Sequence, residues 1–133
     1  MPLANPYVRY QQTAVRTADR GDLLILTYEA ILRWLGRAEE ALDSGSLVDA
    51  HQALVNSQDL IANLATSLDM DRGGEIAANL QALYDYMHRE IVRANLEKDK
   101  AIIASVRELI VPLLDAWRTA VPAARKEGHL AGV

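Results

Sequence analysis

The residues most suited to chemistry lie near the middle of the chain, where Asp69 and Asp71 precede the paired glycines Gly73 and Gly74. Their order resembles a calcium-binding loop, but Leu80 occupies the position that would supply the bidentate carboxylate. A phosphate cradle is no better supported, because no Gly-Lys-Ser/Thr run follows the glycines. We therefore predict a turn between two helices, since glycine reaches positive φ without steric cost and aspartate can cap the helix that follows.

The histidines and serines do not form a second kind of reactive site. Asp85 and His88 approach the Glu-x-x-His spacing of di-iron bundles, but no second copy exists, because His51 has Val48 at the matching position. The chain has no cysteine and no Gly-x-Ser-x-Gly motif, which excludes disulfides, cysteine metal sites and a hydrolase elbow. The sequence predicts no enzyme, no cofactor and no metal site.

Length, charge and hydropathy narrow the class of protein further. The 133 residues suffice for one domain with its own core. The net charge is −4 and the Lys and Arg residues are scattered, which argues against nucleic-acid binding. No apolar run approaches the ~20 residues that span a bilayer, and the amino terminus lacks a signal-peptide pattern. We therefore expect a cytoplasmic protein without membrane insertion.

Four long stretches repeat apolar residues at alternating steps of three and four, the period of an amphipathic helix. Because their connections are short, neighbouring helices must run antiparallel. The sequence thus predicts an all-α fold, an antiparallel four-helix bundle with a short N-terminal helical or cap segment. The four stretches cover residues 22–42, 47–68, 76–94 and 103–117. We expect a single domain, 1–133, made of the cap segment (1–18), the bundle (22–120) and a flexible tail (121–133).

Capping residues mark the expected helix ends. Gly45 suits the end of the first helix, and Ser46 followed by Asp49 suits the start of the second. Asn95 is expected to close the third helix in a left-handed conformation. Asp99 is expected to cap the fourth helix.

Three prolines predict where helices begin, bend or end. Asn5 and Pro6 suit the N-cap and the first helical position of a segment over residues 5–17, which is too short to be stable alone. Pro112 lies inside the fourth pattern and predicts a bend rather than a break. Pro122 is expected to end that helix.

Several polar and aromatic side chains lie beside the apolar rows. Asn56, Asn63 and Asn79 could bond the backbone of an extended or helical guest, or they could be ordinary solvated helix positions. Tyr7 and Tyr10 are either packing residues or amphipathic contacts for a partner. Composition does not decide between these readings.

One set of residues has an order and spacing specific to a known family. The set comprises Asn5, Pro6, Tyr7, Tyr10, Gln11, Gln12, Thr13, Val15, Thr17, Ala18, Leu23, Leu24, Tyr28, Ala53, Leu54, Gln58, Asp59, Ile61, Leu68, Asp69, Gly73, Gly74, Glu75, Ile76, Ala77, Asn79, Leu80, Leu83, Tyr84, Asp85, Tyr86, Ala94 and Asn95. In these residues the chain resembles the flagellar secretion chaperone FliS family, and the resemblance extends to about Trp117.

The resemblance implies an export chaperone that binds the disordered C-terminal region of flagellin and prevents its polymerisation before secretion. Apolar surface grooves on a bundle suit such a guest. The resemblance leaves the export apparatus, co-chaperones and a homodimer as further candidate partners. A small metal-binding bundle and a self-associating structural bundle are the alternative readings. The candidate flagellin-binding residues are Tyr7, Tyr10, Gln11, Val15, Asn56, Leu60, Asn63, Leu64, Ile76, Asn79, Leu80 and Tyr84.

Deleting residues 1–17 separates two roles for the N-terminal segment. If the segment covers the guest groove in the free protein, its removal will leave flagellin binding unchanged or tighter, because fewer molecules are closed. If Tyr7 and Tyr10 contact the guest directly, binding will weaken strongly. Titration calorimetry of the full and shortened chains with flagellin measures the difference.

Overall fold

A computed structural model describes the backbone of residues 20–127 and the side chains of residues 20–124. This part of the chain forms four helices: α1 (Arg20–Asp43), α2 (Leu47–Thr66), α3 (Met70–Glu97) and α4 (Lys100–Glu127). Consecutive helices pack against each other, and α4 also packs against α1, which closes the ring. The predicted all-α four-helix bundle is confirmed. The cap segment expected at residues 1–18 lies outside the described residues.

The core is built from the apolar stripes that the sequence predicts. Their most enclosed large aliphatic members are Ile31, Leu35, Leu54, Ile61, Met87, Ile91, Ile103 and Ile110, each with no exposed surface. Burying one such side chain contributes roughly 1.5–3 kcal/mol. Leu47 and Ile76, although expected in the stripes, are exposed, by 56% and 64%. Leu47 is the first residue of α2, and Ile76 follows the Gly74 kink in the second turn of α3.

The loop between α1 and α2 is a left-handed helix cap at Gly45, as predicted. Gly45 has φ +78, its N–H donates to the Leu42 carbonyl at 3.2 Å, and the Ser46 N–H donates to the Ala41 carbonyl at 2.8 Å. Ser46 is the N-cap of α2, but its hydroxyl makes no capping bond to the backbone. The hydroxyl instead donates to the Asp49 carboxylate at 2.8 Å.

The prediction that Asn95 closes the third helix is wrong. Asn95 lies inside α3, and Lys98 takes the left-handed conformation with φ 52. The side chain of Asn95 is used elsewhere, since its amide donates to Nδ1 of His51 at 2.9 Å and its oxygen accepts from the Lys98 ammonium. Asp99 caps α4 as predicted, with its carboxylate accepting from the Ala101 N–H at 2.9 Å.

In the central turn Asp69 caps the following helix as predicted, but the glycines lie inside that helix and not in the turn. Asp69 is the N-cap of α3, and its carboxylate accepts from the N–H groups of Asp71 and Arg72 at 3.1 and 3.0 Å. The chain therefore reverses before the glycines. Gly74 produces a kink one turn into α3, where φ is 53 and ψ is −130. That conformation is essentially restricted to glycine.

Both prolines of α4 lie within the helix. The expected end at Pro122 is wrong, because α4 continues to Glu127. Pro112 and Pro122 are both exposed. Solvent can therefore reach the carbonyl groups that lose a partner, and the helix continues through both residues. Residues 128–133 lie outside the described part of the chain.

Replacing Gly74 with alanine will lower the free energy of unfolding by about 1–3 kcal/mol, because a side chain is strained at this φ and ψ. Apart from the adjacent residues and the backbone of α3 itself, no atom lies within 4 Å of the position that the new Cβ would take, so the loss would come from backbone strain and not from a clash with another element. Gly73→Ala is the matched control, since Gly73 has no positive φ. Equal urea midpoints for the two variants would contradict this account.

Candidate protein-binding groove

Four of the twelve sequence-predicted contact residues, Tyr7, Tyr10, Gln11 and Val15, lie outside the described residues. The other eight fall into three groups: core residues, residues beside α1, and residues on the outer surface of α3. The structure does not bring them together in one groove.

Leu64, Leu80 and Tyr84 belong to the core and not to a surface. They are 4%, 8% and 1% exposed, because they continue the inward stripes of α2 and α3. This corrects the expectation that their side chains are available to a guest. The periodicity that identified them as apolar is the same periodicity that buries them.

Tyr84 has a specific role inside the core. Its hydroxyl forms a 2.7 Å hydrogen bond with that of Tyr28, which joins α3 to α1 across the bundle. The Trp117 ring meets Tyr28 edge to face, with 6.4 Å between the ring centroids. Burial raises the pKa of both tyrosines; the hydrogen bond raises the pKa of Tyr84 further and partly offsets the rise for Tyr28.

Ile76 and Asn79 lie on α3, away from the α2 side of that helix. The α2 side is marked by Asn95, which bonds His51. At 100° per residue, Asn79 is about 160° around the helix from Asn95 and Ile76 about 100° from it. Both are exposed, but they share no groove with the α2 residues.

Asn56, Leu60 and Asn63 line the side of α2 that faces α1. Asn63 borders a concave site of about 200 Å³ with Leu23 and Thr27 of α1. Asn56 and Asn63 are seven residues apart and therefore share one helix face, with half-buried Leu60 between them. This shared face of α1 and α2 is the best candidate site.

Two separate concave sites lie along the boundary between these two helices, and we call that boundary the α1–α2 groove. Its narrow end is the 200 Å³ site, bordered by Arg20, Leu23, Leu24, Thr27, Asn63, Leu64 and Ser67. Its wide end is a site of about 570 Å³, bordered by Trp34, Arg37, Glu40, Ala41, Ser44, Asp49, Gln52 and Ala53. The two sites lie at opposite ends of the same pair of helices.

Apolar side chains remain partly open along this groove. Leu23 is 37% exposed, and half-buried Leu24 borders the same narrow site. Trp34 is half-buried, and the Arg37 guanidinium lies 4.6 Å from its ring centroid. Leu23 and Trp34 were not identified as groove residues from the sequence. Their position beside the main apolar stripe of α1, which makes the apolar face of that helix unusually broad, was the available signal.

The polar groups of the groove are suited to binding rather than to catalysis. Asn63 has no side-chain hydrogen bond within the described residues, and the Asn56 amide oxygen accepts from Gln52 at 3.0 Å, which leaves its N–H groups free. Arg20 donates to the Ser67 carbonyl at 2.8 Å and links the helices at the narrow end. Across residues 20–124, no three acidic or histidine side chains could hold one metal ion.

No helix in the described part of the chain is long and apolar enough to cross a membrane.

Comparisons with known proteins agree along most of the chain. The family model described as flagellar protein FliS matches residues 3–124. The flagellar secretion chaperone FliS of Bacillus subtilis is 33% identical over 132 residues, 99% of this chain and 98% of that protein. The Salmonella typhimurium protein of the same name is 36% identical over 114 residues, 85% of this chain and 84% of that protein.

A solved structure shows the same fold. The crystal structure of a flagellar chaperone from bacteria superposes with a TM-score of 0.74. It covers 88% of this chain and 95% of the other, at 22% sequence identity.

Replacing Tyr84 with phenylalanine will lower the free energy of unfolding by about 1–3 kcal/mol, because the Tyr28 hydroxyl loses its buried partner. Tyr86→Phe is the control, since Tyr86 is 45% exposed. Urea unfolding at pH 7 measures both changes.

The same tyrosine pair makes stability sensitive to alkaline pH. Both pKa values are raised in the folded state. The stabilisation that the two protonated hydroxyl groups give the folded state is therefore complete below the ordinary pKa of 10.0 and declines as pH rises above it. A Tyr28→Phe, Tyr84→Phe double variant should therefore lose less stability than the parent chain between pH 9 and pH 11. Parallel pH profiles for the two chains would contradict this prediction.

Proposed function

Because the chain belongs to the FliS family, a family of flagellar secretion chaperones and not of enzymes, we propose that it binds the disordered C-terminal region of flagellin in the cytoplasm. Binding would keep flagellin from polymerising before secretion. Family membership supports a chaperone in general, and the groove between α1 and α2 supports this particular mode of binding.

The observation that carries the proposal is the α1–α2 groove. Its narrow end is lined by partly exposed Leu23 and half-buried Leu24, and the Asn63 amide and the N–H groups of Asn56 have no partner within the described residues. An amphipathic segment can cover the leucines with its apolar stripe, while the amides bond its backbone or its polar edge. The groove needs no reactive group to do this.

The spacing of the two amides suits a segment that orders as it binds. Seven residues of helix α2 separate Asn56 from Asn63 by about 10.5 Å. Seven residues of a helical guest, or three residues of an extended guest, span about the same distance. A disordered guest could therefore place hydrogen-bonding groups opposite both amides in either conformation. Ordering the guest would cost about 2–5 kcal/mol.

Full-length chain and a C-terminal flagellin fragment should form a one-to-one complex in size-exclusion chromatography. Calorimetry should give a negative heat-capacity change, because apolar surface is buried on both partners. Leu23→Glu should weaken binding about tenfold or more, since it places a carboxylate in the narrow end of the groove.

Leu96→Glu is the matched control, because Leu96 lies at the end of α3 away from the groove and is 82% exposed. Absence of a complex at micromolar concentrations would refute the proposed function. If both variants lost the same affinity for flagellin, the binding site would lie outside the groove.

A further inference from the structure

We infer that a second copy of this chain docks on the outward side of α3, so that two copies pair through their α3 helices in antiparallel orientation. The surface involved consists of six residues that recur at alternating steps of four and three along α3. We call them the outer stripe: Ala78, Ala82, Asp85, Arg89, Val92 and Leu96. Flagellin plays no part in this pairing, which is independent of the proposed function.

The outer stripe faces away from the core of the bundle. At 100° per residue, its centre lies about 150° around α3 from the centre of the buried stripe. The buried stripe comprises Ala77, Leu80, Tyr84, Met87, Ile91 and Ala94. Every member of the outer stripe is exposed except Val92, which is half-buried. Helix α3 thus repeats the spacing of a helix-packing seam on a side that no other described helix covers.

The two ends of the outer stripe differ in side-chain size. Leu96 is 82% exposed, more than any other large apolar side chain in the described part of the chain. Val92 lies one turn before it. The other end of the stripe carries only the methyl groups of Ala78 and Ala82. A second α3 that runs in the opposite direction would therefore place the bulky end of each copy against the small end of the other.

The register of such a pair follows from the positions of these side chains. With a twofold axis at the height of position 87, residues equally far from that position face each other. Ala78 and Leu96 are each nine residues from it. Ala82 and Val92 are each five residues from it. Each large side chain therefore meets a small one of the other copy, which is the arrangement that lets two helices pack closely.

The charged members of the stripe fit the same register. Asp85 and Arg89 are each two residues from position 87, so Asp85 of each copy faces Arg89 of the other. Both are exposed, and neither makes a hydrogen bond or an ion pair within the described residues. Arg93, by contrast, is paired within the helix to Glu90 and Glu97. The twofold axis forms the Asp85–Arg89 pair twice, once on each side of the centre.

A parallel pair of α3 helices is disfavoured by the same residues. Each position would then face its own copy, so Asp85 would meet Asp85 and Arg89 would meet Arg89. Two leucines would crowd one end, and facing alanines would leave a gap at the other. Charge and size together therefore select the antiparallel orientation.

The pairing is expected to be weak and to leave the α1–α2 groove open. The outer stripe is about 27 Å long and one helix wide, which places it at the small end of protein interfaces. The dimer should therefore form reversibly and depend on concentration. No member of the stripe borders either concave site of the α1–α2 groove.

Sedimentation equilibrium of the full-length chain without flagellin, at concentrations up to about 500 µM, should show a monomer–dimer equilibrium. Asp85→Arg and Arg89→Asp should each raise the dissociation constant of the dimer about tenfold or more, because each replaces two attractive pairs with two repulsive ones. Glu108→Arg is the matched control, since Glu108 is exposed on α4 and has no ion pair within the described residues. The control should dimerise like the parent chain.

A mixture of the two single variants tests the register directly. In a mixed pair the two arginines of the Asp85→Arg chain face the two aspartates of the Arg89→Asp chain. The mixture should therefore dimerise about as tightly as the parent chain, although each variant alone is mostly monomeric. The Asp85→Arg, Arg89→Asp double variant should also regain the dimer. Thermal melts establish that each variant is folded.

Three results would overturn the inference. The first is a parent chain that stays monomeric at about 500 µM. The second is a pair of folded single variants that dimerise like the parent chain, which would place the contact elsewhere. The third is a mixture that remains as monomeric as its components, which would exclude the antiparallel register. Flagellin binding is measured separately, so none of these results decides the proposed function.

Discussion

The buried hydrogen bond between Tyr28 and Tyr84 is the constraint on which the arrangement of the bundle depends. An aliphatic core tolerates small shifts of one helix along another, because any apolar contact can replace a similar one. A pair of hydroxyl groups 2.7 Å apart tolerates no such shift without leaving a buried polar group unpaired. The bond joins α1 to α3 and therefore fixes the relative height of helices that are not neighbours in the ring.

The surface ion pairs between helices bridge one boundary of the bundle. Within the described residues, every ion pair between helices joins α1 to α4: Glu29 to Arg118, Glu39 to Arg107, and Asp43 to Lys100. These groups are partly exposed, so each pair contributes little to stability. Their long side chains nevertheless cover the boundary between the two helices. No ion pair joins α1 to α2 within the described residues, and the Arg20 guanidinium links the two helices only at the narrow end of the groove.

Helix α1 therefore has three different sides. One side forms the core through Tyr28, Ile31 and Leu35, a second binds α4 through carboxylates, and a third leaves Leu23 and Trp34 partly open beside α2. A helix with a broad apolar face has more apolar surface than its neighbours can bury. That surplus is what a bundle of this size can offer to an apolar guest.

The sequence alone determined the number of helices, their antiparallel order and most core positions, because helical periodicity and short loops depend only on local spacing. It also identified the left-handed cap at Gly45 and the capping roles of Asp69 and Asp99. It did not separate the core members Leu64, Leu80 and Tyr84 from surface contacts, since the same period describes both. Only the tertiary structure decided that Tyr84 bonds Tyr28, that Lys98 replaces Asn95 at the end of α3, and which side of α1 stays open. These depend on which helices become neighbours and at what height, and that information lies in contacts between residues far apart in the chain.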